Sequence, residues 1–157
     1  MHDRLSDGRK IRLLTIVDVF TQECVAVKVA PHLKSSDVLG VLRRAMPRRG
    51  KPRTLRCDHG SEFTSTEFDQ WAYWYWNGVS IDFSRPGKPT DNAFIESFNG
   101  KVRQELLNAS WFDTLEEAQR EAGIWRRDYN ELRPHRPLGN KTPEEFILAR
   151  ERDLSNG

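Results

Sequence analysis

Two acids stand where chemistry could be done. In Arg56-Cys-Asp-His-Gly-Ser-Glu-Phe63 a short apolar run closes on Asp58 before His59 and Gly60, the pattern of a strand that delivers a carboxylate at its C-terminal end. Downstream, Pro86-Gly-Lys-Pro-Thr-Asp-Asn-Ala-Phe-Ile-Glu-Ser-Phe-Asn-Gly100 is a stiff Pro/Gly loop running into a helix that carries Glu96, with 37 residues between the two acids. A strand-end Asp and a helix-borne Glu can share a divalent metal. Mg²⁺ takes hard oxygen ligands, keeps several waters and accepts one or two carboxylates plus phosphate oxygens, so no His or Cys is required. Two such ions roughly 3.5–4 Å apart suit in-line phosphoryl displacement, one activating the attacking oxygen and one stabilising the leaving oxygen. The bland alternative is a pair of unrelated surface acids.

The residues around Glu96 fit that chemistry. Positions three, four and seven onward share its helical face, which sets Asn99, Gly100 and Arg103 beside the carboxylate. Arg103 is the candidate for gripping a nucleic-acid phosphate, with Lys88 and Lys101 at its flanks; an ordinary solvated arginine is the competing reading. Asn92 is placed to orient the loop, and His59 either donates to the Asp58 site or is a loop histidine without a role. Arg43, Arg44, Arg48, Arg49, Lys51 and Arg53 form one basic run, and Arg126, Arg127, Arg133 and Arg136 another, although the net charge is only +2. Taken alone, each run reads equally well as a solvated face.

The elements that must position these residues follow from periodicity. Ile11 to Val19 and Glu23 to Ala30, rich in β-branched residues and joined through Phe20-Thr-Gln, predict an antiparallel hairpin after a Ser6-Asp-Gly8 turn. Ser35, Ser36 and Asp37 offer caps to a helix with Val38, Leu39, Val41, Leu42 and Ala45 on one face, ending near Pro47. A strand from Thr54 to Cys57 precedes a helix capped by Thr64 and Glu67, with Phe68, Trp71, Ala72 and Trp74 or Tyr75 at helical spacing. Gly78 stops it, and Val79 to Phe83 is the next strand. Thr90 or Asp91 caps the Glu96 helix. Thr114 and Glu117 open a helix with Ala118, Ala122, Trp125 and Tyr129 on its apolar side, which Arg133-Pro-His-Arg-Pro137 breaks, and Thr142-Pro-Glu-Glu145 starts a last one with Pro at its first position. Trp111, Trp125 and Tyr129 read as core residues. At 157 residues and 37% hydrophobic content the chain suits one α/β domain over 1–157, with a helical tail over about 113–150.

Cys24 and Cys57 lie far apart in strand-like runs, with no zinc-type spacing, and read as buried thiols in a reducing compartment. No apolar run reaches the roughly 18 residues of a membrane span, and the N-terminus has no signal-peptide core, so a cytoplasmic protein is expected.

Three strings, C-D-H-G-S-E-F-T-S, D-F-S-R-P-G-K-P-T-D-N-A-F-I-E-S-F-N-G-K and W-R-R-D-Y-N-E-L-R-P-H-R-P-L-G, together resemble the catalytic core of insertion-sequence transposases of the retroviral-integrase type. The resemblance covers nearly the whole chain. It implies a ribonuclease-H-like mixed sheet flanked by helices, an Asp-Asp-Glu triad binding two Mg²⁺ or Mn²⁺ ions, and strand cleavage and transfer of element ends. It also implies homo-oligomers on DNA, with an upstream helix-turn-helix segment. Carried over, the second acid is Asp58 and the third Glu96. The first lies in a Trp-x-x-Asp-Phe pattern on the opening strand, and aligning the turn at Asp3 to Gly8 puts Met1 just after it, so the opening strand and first catalytic Asp are expected to be missing and the chain to be inactive as it stands. A non-enzymatic remnant that binds DNA weakly or pairs with a complete transposase is the alternative. Asp18 is the tempting substitute for the first acid, but a polar residue at the hairpin turn is its simpler role. The family's spacing between Asp58 and Glu96 is shorter by two residues, and the tandem Tyr73-Trp-Tyr-Trp76 accounts for the difference.

Overall fold

The computed structural model describes residues 1–57, 60, 63, 65–74, 79–83 and 93–156. In chain order the elements are β1 (His2–Arg4), β2 (Lys10–Val17), β3 (Cys24–Ala30), α1 (Ser35–Arg49), β4 (Thr54–Cys57), α2 (Thr66–Trp74), β5 (Ser80–Phe83), α3 (Ala93–Val102), a π turn (Arg103–Leu107), α4 (Leu115–Glu131), a 3₁₀ turn (Arg136–Leu138) and α5 (Pro143–Ser155). They fall into two compact units, Met1–Pro31 with Phe98–Gly157, and His32–Ser97.

In the first unit β2 pairs antiparallel with β1 on one side and β3 on the other. Ile11 and Leu13 alternate into the core on one face, Leu14 is buried on the other, and Lys10 stays out, so the middle of the strand is covered on both faces. The hairpin is as expected, but β1 is an addition. His2–Arg4, read from sequence as part of a turn, pairs with Arg12, Ile11 and Lys10, so three residues of an opening strand are present. Three polar residues carry no periodicity, and only pairing with β2 makes them a strand. Gly8, at φ 88°, closes the turn between β1 and β2 with its N–H on the Leu5 carbonyl.

α4 lays Ala118, Ala122, Trp125 and Tyr129, the expected stripe, onto β3. Its start is double-latched. The Thr114 hydroxyl accepts from the Glu117 N–H at 3.1 Å, and the Glu117 carboxylate accepts from the Asp113 N–H at 2.8 Å, one residue earlier than a standard capping box. Two amides then tie α4 to the outer edge of β3. Asn130 accepts from the Cys24 N–H at 2.9 Å and donates to the Cys24 carbonyl at 3.0 Å. Gln119 accepts from the Val29 N–H at 2.7 Å and donates to the Val27 carbonyl at 3.2 Å. Each amide supplies the donor and acceptor that a further strand would have offered. α5 starts where expected, with Pro143 at its first position, and adds a capping box in which Thr142 and Glu145 each accept from the other's N–H. Its Phe146 meets Phe20 of the hairpin tip at 5.8 Å, with Arg150 over the Phe20 ring at 4.7 Å.

In the second unit β4 and β5 run parallel in register from Thr54↔Ser80 to Cys57↔Phe83, and α2 lies between them in sequence. α1 packs on α2, burying Val38, Leu39, Val41, Leu42 and Met46. Two expectations shift here. α1 runs past Pro47 to Arg49, because a missing N–H in the last turn removes a single bond, and Gly50 at φ 76° is what ends it. It also starts a residue earlier than its serines suggest, on Lys34, whose N–H is taken by Asp37 at 3.0 Å. The α2 cap is Ser65, whose hydroxyl accepts from the Phe68 N–H at 3.2 Å; Thr64 lies outside the described residues. Phe68 and Trp71 are buried as expected. Of the tandem Tyr73-Trp-Tyr-Trp76, Tyr73 stands 69% exposed near the end of α2, and residues 75 and 76 lie outside the described residues.

Candidate functional site

Glu96 sits in the first turn of α3, exposed, and among the described residues nothing pairs with it. A carboxylate is favoured there, since the N-terminal turn of a helix carries unsatisfied N–H groups and the positive end of the dipole. β4 ends at Cys57, the residue before Asp58. Asp58 itself, His59, Lys88, Thr90, Asp91 and Asn92 lie outside the described residues. Asp18 serves the hairpin turn, where its Oδ1 accepts from the N–H groups of Phe20 at 2.8 Å and Thr21 at 2.9 Å.

Beyond Glu96 the helix is tied to the sheet of the first unit. Asn99 Oδ1 accepts from the Thr15 hydroxyl of β2 at 2.9 Å, and Arg103 Nη2 donates to the His2 carbonyl of β1 at 2.9 Å. Residues four apart on one helical face thus reach two adjacent strands. Arg103 remains exposed and, among the described residues, keeps four of its five N–H donors for other partners. Lys101 is exposed, and its charge helps hold the His135 imidazole below the usual histidine range.

At Arg103 the ladder changes pitch. The Arg103 carbonyl accepts from the Asn108 N–H at 2.8 Å, five residues on, so the helix closes with a π turn. Glu105 in that turn takes the Trp125 indole N–H at 2.9 Å and pairs with Arg133, whose Nε reaches Asp128 at 2.6 Å and whose guanidinium stands 5.7 Å over the Trp125 ring. Arg133, counted from sequence among a solvated basic run, is therefore an internal clamp between the π turn and the end of α4. Phe98 of α3 packs edge-on to Trp125 and Tyr129, which stack on each other at 5.2 Å, and His135 closes the row 4.8 Å from Tyr129. Burial, with Lys101 and Arg133 adding to it, lowers the His135 pKa, and among the described residues its buried Nε2 has no partner. Burial likewise pushes the Tyr129 phenol up to about 12.

One aromatic expectation is reversed. Trp125 and Tyr129 are core, but Trp111 is 87% exposed. It lies in the segment before α4, where the Phe112 carbonyl accepts from the Ser6 N–H at 2.8 Å and pins the chain to the turn between β1 and β2. Phe112 turns in and Trp111 turns out. Cys24 is buried as expected, whereas Cys57 is half-buried. Sequence reasoning also missed Thr15, Glu105 and the Arg133 pairing. A lone hydroxyl inside L-L-T-I-V is a faint signal for the first, and partners 28 positions apart leave none for the others.

Family models for the integrase core domain match residues 1–89 and 77–143. The 31.7 kDa protein of insertion element IS407 from Burkholderia multivorans is 49% identical over 144 residues, covering 92% of this chain and 51% of the relative. The transposase for insertion sequence element IS904 of Lactococcus lactis is 29% identical over 133 residues, covering 83% and 52%. The chain spans about half the length of the curated relatives it matches. Among solved structures, the HTLV-2 integrase catalytic core domain in complex with magnesium superposes with a TM-score of 0.68 at 23% identity, covering 93% of this chain and 90% of that one. That likeness shows the ribonuclease-H-like fold.

Proposed function

The chain belongs to the integrase core family, and from that premise we propose that it is the catalytic core of an insertion-sequence transposase, built to cleave and join DNA strands by metal-dependent phosphoryl transfer. The observation that carries the reading is an exposed carboxylate, Glu96, unpaired among the described residues, in the first turn of a helix followed on its face by Asn99 and Arg103. Asp58 and Glu96 are the proposed ligands of Mg²⁺ or Mn²⁺. Carboxylate oxygens are the donors these ions take, and an exposed carboxylate can serve without first breaking an ion pair. A divalent ion there would offset charge on the phosphoryl oxygens and favour ionisation of the attacking hydroxyl. Arg103, Lys101, Lys88 and Asn99 are the proposed contacts to backbone phosphates. Further copies of the chain on DNA, and an upstream helix-turn-helix segment, complete the proposed assembly. No helix among the described residues is long and apolar enough to cross a membrane.

Asp18 favours a second reading of this polypeptide taken alone. With that carboxylate occupied by the hairpin turn, two candidate acids remain, and two hold metal weakly. The 157-residue chain is then a DNA binder without strand-transfer activity. The test combines a joining assay with Mg²⁺ or Mn²⁺ on a labelled element end and a salt titration on two unrelated duplexes. Expected are no joining, a Kd of ~10⁻⁴–10⁻⁶ M at physiological salt, and a slope of log affinity against log salt lowered by about one unit in Arg103→Ala on both duplexes. Metal-dependent joining abolished by Asp58→Asn would overturn the inactive reading. An unchanged slope would remove Arg103 from the phosphate contacts.

A further inference from the structure

Thr15 is the only residue with a hydroxyl in the eight-residue strand β2, where it stands among Leu13, Leu14, Ile16 and Val17. A hydroxyl in such a strand must find a partner as it leaves water. Thr15 is half-buried, faces no polar side chain across the ladder, where Val27 is opposite, and donates to Asn99 Oδ1 at 2.9 Å. The direction of that bond matters. An amide has one acceptor end and one donor end, and occupying the acceptor orients the donor end outward. Asn99 is itself half-buried, one helical turn before Arg103, whose own guanidinium is anchored on the His2 carbonyl of the neighbouring strand. The sheet therefore fixes two successive side chains of this helix face, one by a side-chain hydroxyl and one by a backbone carbonyl, and both are left presenting N–H groups.

We propose that Thr15 is a positioning residue for nucleic-acid binding: it holds the Asn99 amide with its two N–H donors toward a backbone phosphate oxygen, alongside Arg103. This rests on the DNA-binding reading of the same face and adds to it a residue from β2. Without the hydroxyl the amide is free to turn its carbonyl toward the phosphate, where a lone pair meets a negative charge.

A double-mutant cycle on duplex affinity tests it, with the 157-residue chain and the same two duplexes. Thr15→Val keeps the β-branched shape that suits the strand and removes only the donor. It is expected to weaken binding roughly 2- to 12-fold, the range of one net hydrogen bond, on both duplexes alike. In an Asn99→Ala background the same change should cost nothing, because its effect passes through the amide. Thr15→Ser, which keeps the hydroxyl, should restore affinity. Equal losses with and without Asn99, or no loss in the parent, overturn the assignment, as does failure of serine to rescue. Asn99→Ala alone without effect removes this assignment only; Asn99→Ala and Arg103→Ala both without effect remove the DNA reading of the face. Melting each variant by circular dichroism separates a folding defect, which serine and valine would share.

Discussion

Asn130→Ala deletes a side chain that stands in for a missing β-strand, and its cost can be worked from the burial of what it leaves behind. Cys24 is fully buried, and Asn130 supplies the acceptor for its N–H and a donor to its carbonyl. After the change the N–H has no partner and no water; the carbonyl keeps a long contact to Arg126 Nη1 at 3.5 Å. Orphaning one buried donor costs about 1–3 kcal/mol and losing the second bond about 0.5–1.5 kcal/mol, so the gross loss is roughly 1.5–4.5 kcal/mol. Alanine returns about 0.5 kcal/mol of helix propensity, which leaves roughly 1–4 kcal/mol. For a chain of this length that is a fall of roughly 2–16 °C in Tm. Gln119→Ala removes the same number of hydrogen bonds from the same strand, and Val27 and Val29 are themselves buried, but Gln119 is half-buried, so its removal opens their C=O and N–H to water and the expected cost is smaller than that of Asn130→Ala. Urea titration of parent and both variants, followed by far-ultraviolet circular dichroism at constant pH, measures the pair. If Gln119→Ala costs as much as Asn130→Ala, burial does not set the size of the loss and the reasoning fails. Asn130→Asp is a sharper control: it keeps the acceptor for the Cys24 N–H but sets a carboxylate against the Cys24 carbonyl, so it should be less stable than the parent at neutral pH.

Two further outcomes follow from buried titrating groups. His135 has a folded-state pKa below its unfolded value of about 6.5, so the unfolded chain binds more protons between the two; stability is full above about pH 6.5 and falls as the pH drops toward the folded pKa. His135→Phe, which keeps a ring against Tyr129, should flatten that part of the stability-against-pH curve, and an unaltered slope below about pH 6.5 would contradict the assignment. Burial raises the Cys24 thiol to about 12, so it should resist iodoacetamide in the native chain at mildly alkaline pH and react once denatured; rapid native labelling mapped to Cys24 would mean that the β3–α4 seam opens easily.

What the sequence disclosed and what it hid divide along a physical line. The stripe of α4, its capping box at Thr114, the start of α5 at Thr142-Pro143 and the existence of β4 and β5, though not their parallel pairing, are written in local spacing, because periodicity and capping are properties of neighbouring residues. Glu96 could be set on a helix and its facing residues counted for the same reason. Long-range pairing is not so written. His2–Arg4 is a strand only because β2 is beside it, Arg133 is a clamp only because the π turn brings Glu105 to it, and Trp111 faces out only because Phe112 is pinned beneath Ser6. The helical face counted from Glu96 also holds only as far as Arg103, since the i→i+5 closure there rotates everything after it relative to an α-helical count.

The amides that α4 sets along β3 bear on how copies of this chain can associate. A bare outer strand is an invitation to strand donation, since its unpaired N–H and C=O groups template the addition of another chain and, repeated, a growing fibre. On β3 four of those groups, the N–H and C=O of Cys24, the C=O of Val27 and the N–H of Val29, already carry partners from within the same chain. An incoming peptide would have to evict Asn130 and Gln119 before it could form its first rungs there. Sheet extension at this margin is closed off, and any copies of the chain that meet here must do so through side-chain surfaces, which can be matched and released in a defined number.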